Sequence, residues 1–507
     1  MNAKLLDDSV KKNTKRFHQL INTIKQQMKV DIYSISNITL IKNPYTSIFP
    51  LNFFLNKVSN TNSFFLFIKS TFKFYLKQIY FFFVYMITYL LYKVYYKKEG
   101  NDTINETLID VFCLVQPTIE SKMFHENYFK SMYPIFEKKN IAYTFIPRIY
   151  NTNYNPFSII PFFKILSLDK RDFLFEFELL TFWNFIEIFW MILLYPFKTL
   201  RLFQKEQKSD FQCFNNALIN DIASQGMNSF SRYVFAKNIA KLQEVKEIIS
   251  WSEFQVIERS FNYGIRANNT KIKLIGCQFY LNYKTYFNAY VDDIDDRQKT
   301  AFHTVLVNGK NYLKIRDEVI YKIGVSLRYQ ELFDYKFDMK TESNKILVLG
   351  SYITHDTKDM LNSVTHFDNV LFKNHPAVNL SKLNAIPKNI TIVDKTIYEL
   401  FHDVSLVIAT ASGTAVEAVA CGKSVIIIAS QKNLTANPLV SYGKGKIWDI
   451  AFSKDDVEKH YNKLIKYRNE NPKEIQAIAM WYKDNFFVEP TEENIIKAFE
   501  LDKELKI

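Results

Sequence analysis

Residues 407–429, VIATASGTAVEAVACGKSVIIIA, allow few folds. The apolar runs at either end have no alternating polar positions, so each must be buried on both faces, as in the interior strands of a parallel sheet. The stretch between them is about the dozen residues that a crossover between parallel strands needs. It carries the small apolar spacing of a short helix, which Gly422 ends. The unit is therefore strand, helix, strand, with the right-handed connection such units take. Similar strands lie on both sides: ILVLG (346–350), NVLFKNHP (369–376), ITIV (390–393), SLVIAT (405–410) and SVIIIA (424–429). Helical segments such as TIYELFHD (396–403) separate them, which predicts a Rossmann-like domain over 345–490, followed by a C-terminal helix over 491–507.

The same alternation appears earlier. LIDVFCLV (108–115), a helical segment from His125 to Lys138, and IAYTFIP (141–147) read as one β–α–β unit. KEIISW (246–251), a helix through Phe261, KIKLIGC (271–277), TVLVNG (304–309) and YKIGVSL (321–327) continue it. A second Rossmann-like domain over 100–334 follows, interrupted by an aromatic helical insertion at about 150–240, with the polar stretch YKFDMKTESN (335–344) as linker. Nine of the 11 glycines fall between Gly264 and Gly445, where tight turns at strand ends are expected.

The first 100 residues differ in kind. They hold 15 Lys and Arg against 4 Asp and Glu, so +11 of the chain's net +13 lies there. The lysines flank long aromatic and aliphatic runs, with neither zinc-ligand spacing nor a Gly-rich RNA-binding signature. That combination points to an anionic membrane surface rather than nucleic acid. Residues 1–99 are thus expected to form a basic, aromatic, membrane-associated helical segment. Within 63–98, Lys69, Lys73 and Lys77 recur at helical spacing, but the uncharged run from Gln78 to Tyr92 is only 15 residues. That run reaches about 22 Å against a bilayer core near 30 Å, which favours a helix lying in the interface over a span. A second apolar stretch, Leu179 to Phe197, carries Glu187 near its centre and is expected to stop at Pro196, as another interfacial or core helix. The start, MNAKLLDDSVKK, lacks the apolar core of a secretory signal, and Cys113, Cys213, Cys277 and Cys421 are scattered in apolar surroundings. Buried free thiols and the cytoplasmic face of the inner membrane are expected.

The chemistry is sought at the C-terminal edge of the second sheet, where open α/β sheets bind ligands. Ser412, Gly413 and Thr414 stand where a helix begins, so hydroxyls and backbone N–H groups converge on a site for a phosphate ester. Glu417, one turn on, is placed to accept hydrogen bonds from ribose hydroxyls. Lys373, Asn374, His375 and Pro376 end another strand on that edge, and Gly350 and Ser351 a third.

KNHP, followed by strand–SGTAxEA–helix–CGK–strand, resembles the nucleotide-binding domain of GT-B glycosyltransferases, above all bacterial surface-carbohydrate enzymes. These are the capsule Kdo transferases, CDP-glycerol glycerophosphotransferases and bacterial sialyltransferases, which share a His-Pro motif and a Ser/Thr-rich phosphate motif. The stretch 230–490 also resembles a wider group of surface carbohydrate biosynthesis proteins. The resemblance covers 340–450 well and 246–330 in part. It implies two Rossmann-like domains facing a cleft and transfer of a sugar, or a polyol phosphate, from a CMP-, CDP- or UDP-linked donor. The acceptor would be a glycan or lipid-linked saccharide. His375 would contact the donor phosphate, Lys373, Pro376, Gly350, Ser351, Ser412, Gly413 and Thr414 would line the donor site, and Glu417 would hold the ribose. The acidic base motif of sialyltransferases has no counterpart here, so Glu253, just past the strand ending at Trp251, is the candidate base; a helix-start Glu is the alternative reading. Asp292, Asp293, Asp295 and Asp296 lack a metal-ligand pattern and read as a solvated acidic loop. No metal and no resident cofactor are therefore expected. A sugar-nucleotide 2-epimerase of the same fold and a non-catalytic membrane-bound scaffold are the alternatives.

Overall fold

The computed structural model describes residues 2–57, 63–98, 103–150, 155–206, 208–337, 344–376, 378–383 and 386–502. Two six-stranded sheets, every pairing parallel, organise it. The first contains β1 (Thr107–Leu114), β2 (Tyr143–Tyr150), β3 (Glu247–Trp251), β4 (Lys273–Gln278), β5 (Thr304–Val307) and β6 (Ile320–Ile323) in the order 2-1-3-4-5-6. The second contains β7 (Ile346–Leu349), β8 (Val370–Lys373), β9 (Ile390–Ile392), β10 (Leu406–Ala409), β11 (Ser424–Ile428) and β12 (Trp448–Ala451) in the order 12-11-10-7-8-9. Helices cover the sheets, and β5, β7, β10 and β11 are buried at every position, as their continuous apolar runs require. This is the GT-B arrangement of two Rossmann-like domains.

Strand order fixes where each sheet can take a ligand. The chain reverses direction between β1 and β3 in the first sheet and between β7 and β10 in the second. Crevices open at such switch points, beyond the strands' C-terminal ends. The chain also returns to its beginning. Ser326 N–H donates to the Val488 carbonyl (2.8 Å), the Asn308 amide to the Phe486 carbonyl (2.9 Å), and the helix Glu492–Phe499 packs Ile495, Ala498 and Phe499 into the core of the first sheet. Phe499 lies 6.0 Å from Phe136 and 6.3 Å from Phe279.

Several local readings change. Only Tyr133–Lys138 of the expected 125–138 helix forms, because the buried Glu126 carboxylate accepts the Tyr128 (2.5 Å) and Phe129 (3.1 Å) amides and holds a turn there. Pro196 does not end its helix, which runs Phe182–Thr199 with Tyr195, Pro196 and Thr199 buried; tertiary packing outweighs one missing N–H donor. Asp292–Asp296 is not a solvated loop. Asp292 caps the short helix Asp293–Arg297, and Asp295 is fully buried between Lys25 (2.7 Å) and the Arg259 guanidinium. Lys25 belongs to the N-terminal helix Ala3–Gln27, so the basic segment is built into the first domain. Its Phe17, Phe49, Phe53 and Phe54 share a core with Phe214 and Phe287. The linker at 335–344 lies largely outside the described residues. All four cysteines are free and buried.

The helix Ser63–Tyr95 is long and apolar enough to cross a membrane, roughly 50 Å by its rise per residue. One side of it is held by the protein between Ser70 and Tyr92: Phe74, Gln78, Phe82, Leu91 and Tyr92 are buried. Gln78 clamps it by donating to the Gln225 carbonyl (2.7 Å) and accepting from the Met227 amide (2.9 Å). Glu187, on the neighbouring helix Phe182–Thr199, pairs with Lys237 at 2.5 Å.

Candidate functional site

Gly350 and Ser351 follow β7, Ser412 to Thr414 follow β10, and Lys373 ends β8, with Asn374 to Pro376 after it. Because β8 and β10 both pair with β7, their ends stand two strand spacings apart, roughly 10 Å. The loops after β7 and β8 touch: a methyl group on Gly350 would lie 2.8 Å from the His375 backbone nitrogen. Ala411, just before Ser412, has φ of +48°, a left-handed conformation that costs a non-glycine residue about 1 kcal/mol or more. Such strain marks a turn fixed by its surroundings, and no feature of the sequence announces it.

Two buried polar atoms at these strand ends, Asn374 Oδ1 and Thr410 Oγ1, have no hydrogen-bond partner among the described residues. Buried polar groups are nearly always paired, so unpaired ones concentrate where ligands or water bind. His375 is half-buried, and burial pushes its pKa below the ordinary histidine value, so its imidazole is neutral near pH 7. The Lys373 ammonium donates to the Lys395 carbonyl at 2.6 Å, away from β7. Ser351 is fully buried, its hydroxyl accepting the Ile353 amide (3.0 Å). Glu417 is buried and accepts the Tyr398 hydroxyl (2.5 Å); burial pushes its pKa up, while the Tyr398 hydrogen bond and the nearby Arg328 pull it down. Pro376 is exposed at the end of its turn.

Across the cleft, Glu253 stands at the switch point of the first sheet. The residue after it, Phe254, is the second left-handed non-glycine at a strand end (φ +55°). Gln255 Nε2 donates to Glu253 Oε2 (3.2 Å) and to the Tyr286 hydroxyl (2.9 Å), and the Tyr286 hydroxyl lies 3.5 Å from the same carboxylate oxygen. A series of rings then crosses between the domains. Tyr286 lies 5.9 Å from Tyr45, Tyr45 lies 5.6 Å from Tyr352, and Tyr352 lies 6.0 Å from His375. The loop after β4 closes the other flank: Leu281 packs on Gly413, and the Thr285 hydroxyl donates to the Thr435 carbonyl (3.2 Å).

Sequence reasoning did not find Tyr45, Tyr283, Tyr286, Tyr352 or Tyr398. The run Tyr280, Tyr283, Tyr286, Tyr290 immediately after β4 was a usable signal, since aromatics with hydroxyl tips at a strand's C-terminal end suit ligand contact. Tyr45 carried none, because only the tertiary fold brings the N-terminal segment to the cleft.

No family model matches the sequence, and no curated protein matches it. Solved structures do. The S. aureus MnaA–UDP co-structure shares 8% identity over 79% of this chain and 98% of its own (TM-score 0.40). The wall teichoic acid polymerase TagF H548A shares 10% over 88% and 100% (TM-score 0.37), and the calicheamicin glycosyltransferase CalG4 8% over 80% and 100% (TM-score 0.39). At such scores the superpositions are loose, and the fold assignment stands on the two sheets themselves.

Proposed function

We propose that this chain is a glycosyltransferase that moves a sugar, or a polyol phosphate, from a nucleotide-activated donor to a surface glycan or lipid-linked acceptor. The observation that carries the reading is the pair of facing switch points. One, in the second domain, presents strained and unpaired strand ends suited to phosphate, with Ser412, Gly413, Thr414, Gly350 and Ser351 around it. The other presents a carboxylate, Glu253, against a tyrosine wall suited to the C–H faces and hydroxyls of a saccharide. Neutral His375 donates a ring N–H to the donor phosphate and meets the charge that grows on the leaving nucleotide. Glu253 takes the proton from the acceptor hydroxyl, with Gln255 and Tyr286 fixing its orientation. Lys373, tethered to Lys395, acts at most as a distant positive charge. Glu417, held by Tyr398, faces the ribose.

The enzyme works at a membrane surface in this reading. Phe65, Ile68, Phe72, Leu76 and Phe83 are exposed on the helix Ser63–Tyr95, beside Trp183, Trp190 and Phe197 on its neighbour, and Lys69, Lys73 and Lys77 are exposed among them. A helix held on one side between Ser70 and Tyr92, with its outer face apolar and lysine-bearing, is suited to lie in the interface. This apolar surface also disfavours a soluble epimerase.

The test is a thermal-shift screen of the full chain against CMP, CDP, UDP and their sugar conjugates, followed by product analysis with the best donor. A ligand at 100 times its Kd raises stability by about 2.7 kcal/mol. Silence across the whole panel overturns the donor site; binding without any transfer or hydrolysis favours the scaffold.

A further inference from the structure

A cavity of about 640 Å³ lies outside this cleft, between the N-terminal helix and the segments 290–297 and 314–317 of the first domain. Its lining mixes two kinds of group. Lys42, Arg297, Lys314 and Arg316 bring four cations, and Asp292, Asp293 and Asp317 bring three carboxylates. Arg316 donates to the Val291 (3.3 Å) and Ile315 (2.9 Å) carbonyls, but Lys42 is not neutralised in place. Lys42 is 4% exposed, and its ammonium makes no ion pair or hydrogen bond with any described residue. Burial and the neighbouring Lys25 push its pKa down to about 8 despite Asp292 and Asp295. Lys314 is likewise lowered by burial and by Arg316, and its amine rests 4.8 Å from the Tyr290 ring centre.

Two of the carboxylates are already engaged by backbone. Asp292 accepts the Asp295 amide (3.0 Å), and Asp293 accepts the Glu318 amide (3.0 Å). On the opposite wall, Asn22 Oδ1 is buried without a partner. An isolated lysine costs free energy to bury unless something compensates it, and a cavity that gathers mutually repelling cations is relieved by an anion. A bare anion, however, would face three carboxylates. A ligand with one anionic group and several hydroxyls satisfies both sets at once, with the cations taking the charge and the carboxylates and Asn22 taking the hydroxyls.

We propose that this cavity is a second saccharide-binding site, for a sugar or glycan unit that carries a phosphoryl or carboxylate group. Lys42, Lys314 and Arg316 hold the charged group, and Asn22 with the aspartates orients the ring. The site does not depend on the reading of the cleft.

Calorimetric titration of the full-length protein with glucose 6-phosphate, glucuronate, inorganic phosphate and glucose tests it. Glucose 6-phosphate or glucuronate is expected to bind at least tenfold more tightly than glucose and inorganic phosphate, and which of the two binds identifies the anionic group. The Lys314→Ala/Arg316→Ala double variant, with both positions at the partly exposed rim, should lose that affinity at least tenfold with its unfolding midpoint kept. Lys42→Met should do the same. Neither variant should alter nucleotide binding, and CDP or UDP should not displace the sugar. The proposal is overturned if neither anionic sugar binds at roughly 10 mM, where even millimolar sites fill. It is equally overturned by inorganic phosphate matching the sugars, by full affinity in the double variant, or by displacement with nucleotide.

Discussion

Gly350→Ala is a sharp probe of the donor site, because one methyl group tests whether the loops after β7 and β8 act together. The new Cβ would sit 2.8 Å from the His375 nitrogen and 3.3 Å from the Asn374 Cα and carbonyl carbon. Ordinary contact needs roughly another 0.6 Å, and close-packed interiors do not yield that freely. The backbone in its way is anchored: Gly350 N–H donates to the Lys373 carbonyl (2.9 Å), Val378 N–H to the His375 carbonyl (2.9 Å), and the Asn374 amide to the Val378 carbonyl (2.6 Å). Overpacking of this kind costs about 1–3 kcal/mol. For a domain of this size that lowers Tm by roughly 2–4 °C per kcal/mol, so a fall of about 2–12 °C is expected. Displacing His375 by about 0.5 Å also reaches the tolerance of a preorganised site, so nucleotide affinity should fall about tenfold or more. Scanning calorimetry and nucleotide titration read the two effects. Gly226→Ala is the control, since nothing lies within 4 Å of its added methyl. If Gly350→Ala keeps both the Tm and the nucleotide affinity of the parent, the two loops do not form one site.

His375→Ala should lower turnover about 10²-fold with the fold intact, as for loss of one charge-stabilising donor; unchanged kcat would leave His375 only a turn residue. Transfer should persist in EDTA, and a loss restored by Mg²⁺ or Mn²⁺ would contradict metal-independent chemistry. His18 is pushed down to about 3 by burial and by Lys42, Lys25 and Arg316. Between pH 6.5 and 3 the unfolded chain therefore holds a proton that the folded chain lacks, so the contribution is complete above pH 6.5 and is lost on acidification. From pH 6.5 to 5 it amounts to at most about 2 kcal/mol, and His18→Phe, between Phe17 and Phe287, should remove that part of the acid slope in denaturant melts. Replacing Lys69, Lys73 and Lys77 with Glu should reduce sedimentation with phosphatidylserine vesicles about 100-fold, at about 1 kcal/mol for each lysine lost; unchanged sedimentation would remove charge from the docking argument.

The sheets were readable because their strands are unbroken apolar runs: ILVL, LVIA and SVIII are found where the sequence puts them. Trp448–Ala451 escaped notice because Asp449 interrupts a very short strand. The positions of Gly350, His375 and Ser412 on one edge followed from parallel-sheet logic alone. What the sequence hid was long-range pairing. Lys25 looks like one more solvated lysine, yet its partner Asp295 is 270 residues away, and that pair, together with the shared phenylalanine core, turns an apparent membrane tail into part of the fold. Removing residues 1–98 would consequently uncover Asp295 and delete Tyr45 from the cleft.

The helix Glu492–Phe499, seated on the first sheet, bears on how the chain is made. The sheet's last strand, β6, emerges long before the residues that cover Phe136 and Phe279. At 5–20 residues per second, the stretch from Ile323 to Phe499 takes on the order of 10–35 s to synthesise. For that interval the nascent first domain presents an aromatic surface with its own cover still inside the ribosome, an opening for holding chaperones or for self-association.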